Sequence, residues 1–356
     1  MNEADALPPW LAPGLNDLLH QRGHAWLLHG PSGLGQYAFA LALARAWLCE
    51  RQGQADPAQA GGAQDGPQAM RAACGECPSC HAIDVRTHAD LRVLMPETLM
   101  LELHWPIDEK AQSELDAKKR KPSREIRVDA MRDAVDFTQQ TSARGRGKAV
   151  LIYPAERMNA ITANTLLKTL EEPVGDVRFI LASEAAWQLL PTIRSRCISY
   201  ALPWPDSQQA SAWLAAQGVP VADVGVWLRA AGGRAQDALV LARSGVSVHD
   251  WARLPKLIAR GGKEALDALA ARSPAQVIGV LQKVCHDLFA TGQGAAPRFF
   301  EAADLPNAPP PGALEGWWRS LAGEARTAEH PFNAPLMLEA LVSQAQSILS
   351  AAARRR

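Results

Sequence analysis

An excess of charge of either sign, a membrane-length apolar run and abundant cysteine are all missing from this sequence. Its 37 basic residues are matched by 37 acidic ones over 356 positions. No global field therefore draws the chain to nucleic acid or to an anionic membrane, and any contact with DNA has to be local or shared with partners. The start, Met-Asn-Glu-Ala-Asp-Ala-Leu-Pro-Pro-Trp-Leu, lacks the basic residues and apolar core of a leader, and no apolar stretch is long enough to span a bilayer. A soluble, cytosolic protein is expected. Of only six cysteines, four fall at Cys49, Cys74, Cys77 and Cys80, while Cys197 and Cys285 stand alone. In a reducing compartment such a group points to metal rather than to disulfides.

What is present begins with length enough for two or three domains. His24 to His29 is a short apolar run that enters the loop Gly30-Pro-Ser-Gly-Leu-Gly-Gln-Tyr37, and an Ala- and Leu-rich stretch to Cys49 follows. Strand, loop, helix is the context a phosphate-binding loop requires. Residues 52–70 carry Gly, Ala, Gln and Pro without apolar periodicity and read as a flexible excursion. A second irregular segment is expected over about 104–124, with the basic run Lys118-Lys119-Arg120-Lys121 as a solvated loop. Val128, Met131 and Val135 then recur at helical spacing behind a candidate cap, Asp129. Ala149–Tyr153 and Arg178–Ala182 are apolar runs of the buried parallel type, separated by the helical stretch Ala163–Glu172. The alternation predicts an α/β fold with a parallel sheet and crossover connections. From Pro205 onward the strand signals stop, and Ala- and Leu-rich helices are expected, with breaks at Gly232-Gly233, Gly261-Gly262 and Pro306 to Pro311.

The loop Gly30–Tyr37 has its glycines, Gly30, Gly33 and Gly35, but not its chemistry. In G-x-x-x-x-G-K-[S/T] the lysine reaches the β- and γ-phosphate oxygens and the short hydroxyl holds Mg²⁺. Here Gln36 offers a neutral amide and Tyr37 a phenol on a rigid ring. Alone, the octapeptide also fits a plain glycine-rich turn. In P-loop ATPases the strand equivalent to Ala149–Tyr153 ends in an Asp that anchors Mg²⁺, often followed by a Glu that polarises water. Tyr153 and Pro154 occupy those places, and Glu156 comes two residues late. With both halves lost, ATP is not expected to bind productively.

Cys74-x-x-Cys77-x-x-Cys80 presents three thiolates from one knuckle, and Cys49, at the end of the helix after the loop, completes a tetrahedral set. Four soft, closed ligands suit structural Zn²⁺. An iron–sulfur cluster is the main rival, and His81 is an adjacent substitute ligand.

Asn164-Thr-Leu-Leu-Lys-Thr-Leu-Glu-Glu-Pro173 and, after the next strand, Ser195-Arg196-Cys197 resemble the clamp-loader branch of the AAA+ superfamily. With its decayed Walker motifs the chain is most similar to a subunit of bacterial DNA polymerase III, and the four-cysteine insertion and His-Ala-Asp-Leu at 88–91 also fit. The resemblance covers roughly residues 20–240. It implies an AAA+ P-loop-like domain at 1–203 with a zinc module at 49–80, a helical lid at 204–245, and an all-α collar at 246–356 that joins a pentamer. It further implies a non-hydrolysing subunit of a hetero-pentameric clamp loader that acts in DNA replication. Its partners would be gamma/tau motor subunits, a delta subunit, the sliding clamp and primed DNA. Arg196, flanked by the motif residues Ser195 and Cys197, would be an arginine finger acting in trans on a neighbour's ATP. A second contact of active members, an arginine in the lid, maps to Gln236, with Arg234 nearby. Two other classes remain open at this point: an active ATPase motor with an unusual loop, and a zinc-dependent DNA-binding module. Arg196 paired with a surface carboxylate, Cys197 as a packing residue, and Trp317-Trp318 packed between helices are the plain structural expectations.

Overall fold

The structure is a computed structural model that describes residues 5–52, 72–328 and 333–350. Two compact units divide the chain, Met1–Pro205 and Asp206–Arg356. The excursion at 53–70 and the basic tail Arg354–Arg356 lie outside the described residues.

The first unit is built on a parallel sheet of β1 (Ala25–His29), β2 (Leu91–Leu94), β3 (Lys148–Ile152), β4 (Val177–Ser183) and β5 (Ile198–Ala201), in spatial order β2-β3-β4-β1-β5. Register is in step across the centre, with Leu27 beside Leu181 and Val150 beside Phe179. Helices cover both faces, so the central strands are apolar on both sides, as buried parallel strands are. Ala25, Leu27, Val150, Ile152, Phe179 and Leu181 face one cluster with Met131, Phe137, Leu166 and Ile193. Trp26 points the other way and meets Trp47 at 4.7 Å between ring centroids.

The helices of this unit are α1 (Ala12–His20), α2 (Gln36–Leu48), α3 (Pro78–Asp84), α4 (Glu97–Glu102), α5 (Glu109–Asp116), α6 (Val128–Gln139), α7 (Ala160–Glu171) and α8 (Pro191–Arg194). Three expectations need correction. The segment 104–124 is not irregular throughout: α5 forms because the Asp108 carboxylate accepts the N–H groups of Lys110 and Ala111 at 3.1 and 3.3 Å. Nor is the basic run wholly solvated, since Arg120 donates to the largely buried Glu97 at 2.8 Å and to Glu114 at 2.8 Å. Asp129 is also not the cap of α6. Arg127 holds that place, and Asp129 sits in the first turn, where its charge suits the helix dipole and Arg132 lies 3.2 Å away.

The second unit is helical among the described residues: α9 (Ser207–Ala216), α10 (Val221–Ala230), α11 (Ala235–Ala242), α12 (Val248–Arg260), α13 (Gly262–Leu269), α14 (Pro274–Gly292), α15 (Pro311–Ala325) and α16 (Ala334–Ser350). Asp206 and Gln209 close a capping box on α9, each side chain bonding the other's backbone N–H. Gly232 ends α10 with φ +64°, and a Cβ there would lie 2.9 Å from the Phe299 ring, so glycine is required twice over. Trp251 stacks on Phe300 at 5.1 Å. The fully buried Asp287 accepts N–H bonds of 2.7–2.9 Å from Arg298, Phe299 and Phe300, which fixes that loop against α14. Trp317 is buried as expected, whereas Trp318 is exposed.

Candidate functional site

At the C-terminal end of β1 the chain turns through Gly30–Gly35 into α2, and Gly35 caps the helix with φ 105°. The Gln36 side chain does not point out toward a ligand. Its Nε2 donates to the carbonyls of Gly30 at 2.9 Å and Pro31 at 2.6 Å, and the residue is buried. Trp10 Nε1 donates to the Leu34 carbonyl at 3.1 Å. The loop is thus tied to itself and to the N-terminal segment, with polar groups spent inward.

Tyr37 is buried one residue further on. Its hydroxyl donates to Asp5 at 3.0 Å and accepts from Trp105 Nε1 at 2.9 Å. Asp5 in turn takes both carboxylate bonds from Arg86 Nη2, at 2.7 and 2.8 Å, and the Arg86 guanidinium lies 4.3 Å from the Trp105 ring centroid. Burial first, and the Asp5 charge second, push the Tyr37 phenol well above its usual pKa, so it stays neutral. Tyr153 follows β3 and brings its ring 5.7 Å from that of Tyr37, while its hydroxyl donates to Glu184 at 2.7 Å. Pro154 follows through a cis peptide bond. Glu156 turns back onto Ser183 Oγ at 2.7 Å and the Glu184 N–H at 3.0 Å. Gln36, Tyr37 and Tyr153 are therefore brought together, as aromatic and amide packing. Asp5, Arg86 and Trp105 were not foreseen; an isolated Trp in a polar segment was their only signal.

Cys49, Cys74, Cys77 and Cys80 converge with all four Sγ atoms within 4.8 Å of one another. The short approaches are 3.5 Å for Cys49–Cys74, 3.9 Å for Cys49–Cys77 and 4.0 Å for Cys74–Cys80. A tetrahedron with metal–sulfur bonds of about 2.3 Å has edges of about 3.8 Å. Backbone N–H groups of Cys74, Cys77 and Cys80 point at Sγ of Cys49, Cys74 and Cys77, at 3.4–3.5 Å. Such donors stabilise thiolates. Burial works to raise the Cys74 thiol, but N–H groups of Glu76 and Cys77 outweigh it and bring the pKa down to about 6. Burial pushes Cys49 and Cys80 up. The donor set, closed and all-sulfur, can hold one metal ion. Its rim is anchored by Glu50, which accepts from Ser79 at 2.7 Å and Arg144 at 2.6 Å.

Ser195, Arg196 and Cys197 lie between α8 and β5. Arg196 Nε donates to Glu171 Oε1 at 2.7 Å, Nη2 donates to the same oxygen, and Nη1 donates to the Thr192 carbonyl at 2.8 Å. The side chain remains 31% exposed. Ser195 Oγ donates to the Thr192 carbonyl at 3.2 Å. Cys197 packs against the sheet cluster, and burial raises its thiol to about 12, which fits packing rather than nucleophilic work. In the second unit Arg234 is engaged by Asp237 at 2.6 Å, and Gln236 lies in the first turn of α11.

The sequence model of the family described as DNA polymerase III, delta subunit matches residues 18–205, more than half of the chain. The chain belongs to that family. It is 41% identical over 195 residues to the DNA polymerase III subunit delta' of Pseudomonas aeruginosa, covering 55% of this chain and 48% of that protein. The delta' subunit of Escherichia coli K12 is 31% identical over 211 residues, 58% of this chain and 52% of that one. The Escherichia coli K12 tau subunit is 32% identical over 199 residues, 56% of this chain and 24% of its own length. The chain thus matches about half the length of its delta' relatives. Among the described residues no helix is long and apolar enough to cross a membrane.

Proposed function

We propose that this chain is a non-hydrolysing, delta-prime-type subunit of a bacterial clamp loader, and that it supplies Arg196 in trans to ATP bound by a neighbouring motor subunit. The observation that carries the first half is the Tyr37–Tyr153 contact. The two positions from which a working P-loop ATPase holds Mg²⁺ are filled by the buried Tyr37 ring and the half-buried Tyr153 ring, 5.7 Å apart, and Gln36 is bonded to the loop's own carbonyls. A neutral amide and two phenols do not neutralise a triphosphate. The second half is supported by a partly exposed guanidinium, held in place by Glu171 and the Thr192 carbonyl just before the edge strand β5. A planar, permanently charged fork matches charge developing on a transferred phosphoryl group.

In this reading residues 1–203 form the P-loop-like domain, 204–245 the lid and 246–356 the collar of a hetero-pentamer. Zinc at Cys49, Cys74, Cys77 and Cys80 is structural. Gamma/tau motors and delta are the direct partners, the sliding clamp and primed DNA are reached through the assembly, and the setting is the cytoplasm. The test is a loader reconstituted with Arg196→Ala. A fall in DNA-stimulated ATPase of about 10³-fold at the affected site supports the finger, whereas unchanged turnover and clamp loading overturn it. Tight Mg²⁺-dependent ATP binding by the chain alone would overturn the silent-site half.

A further inference from the structure

Glu171 is the last residue of α7, followed by Glu172 and Pro173. Carboxylates at a helix C-terminus oppose the helix dipole, so nothing in α7 itself favours one here. What Glu171 does is hold Arg196, 25 residues later in the chain and reached across β4 and α8. The guanidinium has five N–H groups in a rigid fork. Glu171 Oε1 takes one from Nε and one from Nη2, on one flank. The Thr192 carbonyl takes one from Nη1, on the other. One N–H on Nη2 remains, and the second N–H on Nη1 makes only the long bond to Ser195 Oγ, at 3.4 Å, which a phosphoryl oxygen can displace. Two terminal N–H groups side by side are the arrangement that binds two oxygens of a phosphoryl group.

We infer that Glu171 is a positioning residue: together with the Thr192 carbonyl it holds the Arg196 guanidinium by its flanks and leaves the terminal N–H pair for phosphoryl oxygens. This rests on the finger reading above and specifies how that finger is readied. A free arginine loses most of its rotamer freedom when it binds, and one already clamped by a carboxylate and a carbonyl has less to lose. Because the fork meets charge that develops on the transferring phosphoryl group, the benefit falls on the neighbour's turnover rather than on its ATP affinity.

The experiment uses the full reconstituted loader with Glu171→Ala, Glu171→Gln, Arg196→Ala and the Glu171→Ala/Arg196→Ala double variant. Turnover and KM for ATP are measured at saturating clamp and primed DNA. Glu171→Ala is expected to lower turnover about tenfold with KM unchanged, the scale of the side-chain entropy involved. Glu171→Gln, which keeps an acceptor oxygen but not the charge, is expected between the two. The double variant is expected to match Arg196→Ala alone. If Arg196→Ala abolishes stimulation but Glu171→Ala leaves turnover unchanged, positioning is wrong while the finger stands. A rise in turnover with Glu171→Ala overturns positioning too, and shows a restraining carboxylate instead. If Arg196→Ala itself has no effect, the finger reading fails and takes this inference with it. Equal melting temperatures for wild type and Glu171→Ala separate positioning from loss of fold.

Discussion

The Tyr37 and Tyr153 rings meet at 5.7 Å between centroids with 32° between their planes, and each hydroxyl is bonded away from the other, to Asp5 and to Glu184. One ring begins the helix after the loop and the other ends the strand two places across the sheet. In the function proposed above, this contact stands where a working ATPase would hold its metal ion.

Restoring the missing motif residues is therefore not expected to restore the site. Gln36→Lys with Tyr37→Thr removes two inward amide bonds and a buried ring. Isothermal titration with Mg²⁺-ATP is expected to show no tight binding, and thermal unfolding is expected to show a less stable protein, because truncating a buried aromatic typically costs about 3–5 kcal/mol.

Tyr37→Phe isolates the hydroxyl. Trp105 Nε1 loses its acceptor and Asp5 keeps only Arg86, so a loss of roughly 1–3 kcal/mol in urea unfolding is expected from the group left buried and unpaired. A neutral result would show that Trp105 finds another partner.

Asp5 and Arg86 form a pair whose side chains are 1% and 8% exposed. Breaking it from one side leaves a buried charge, so Arg86→Met is expected to destabilise the first unit by about 3–5 kcal/mol. Asp5→Asn with Arg86→Met together is expected to recover part of that loss, which a double-mutant cycle measures.

Metal analysis of protein purified without chelator is expected to give close to one zinc per chain, and Cys77→Ser to lose it. Burial raises the Cys49 and Cys80 thiols, so binding displaces protons and apparent affinity is expected to rise with pH. A chelator titration at two pH values checks the sign.

Lys283 gives a pH dependence in the second unit. Burial first, then the Arg234 charge, lower it from the model-peptide value of 10.5 to about 8, with Asp237 opposing and Arg272 adding. Between those values the unfolded chain holds a proton that the folded one has released. Stability from this group is therefore expected to rise as pH climbs from about 8 toward 10.5, and to be level below 8. Urea unfolding of wild type against Lys283→Met across that window is expected to show a slope only in the former.

The central strands were legible because burial on both faces writes an apolar run, and the predicted Ala149–Tyr153 and Arg178–Ala182 overlap β3 and β4. β2 and β5 were not: Leu-Arg-Val-Leu is too short to stand out, and Ile-Ser-Tyr-Ala lies at an exposed edge where no apolar face is needed. The decayed loop was legible because a P-loop is a positional pattern in which a wrong residue is visible as such. What fills it was not. Asp5, Arg86 and Trp105 come from three distant segments and meet only through the fold. That Arg196 pairs with a surface carboxylate was expected; that the carboxylate is Glu171 was hidden for the same reason, although both residues lay within quoted motifs.

The inward bonds of Gln36 bear on the history of the chain. A mutation restoring lysine at position 36 would strip the loop carbonyls of Gly30 and Pro31 of their donor while Tyr37, Tyr153 and Trp105 still filled the space beyond. Each single step back is expected to lower stability, because it removes a bond or a packed ring before the others have changed. On the proposed function, one change at a time meets a ratchet, and a chain so placed keeps its part in the assembly through what it offers a neighbour.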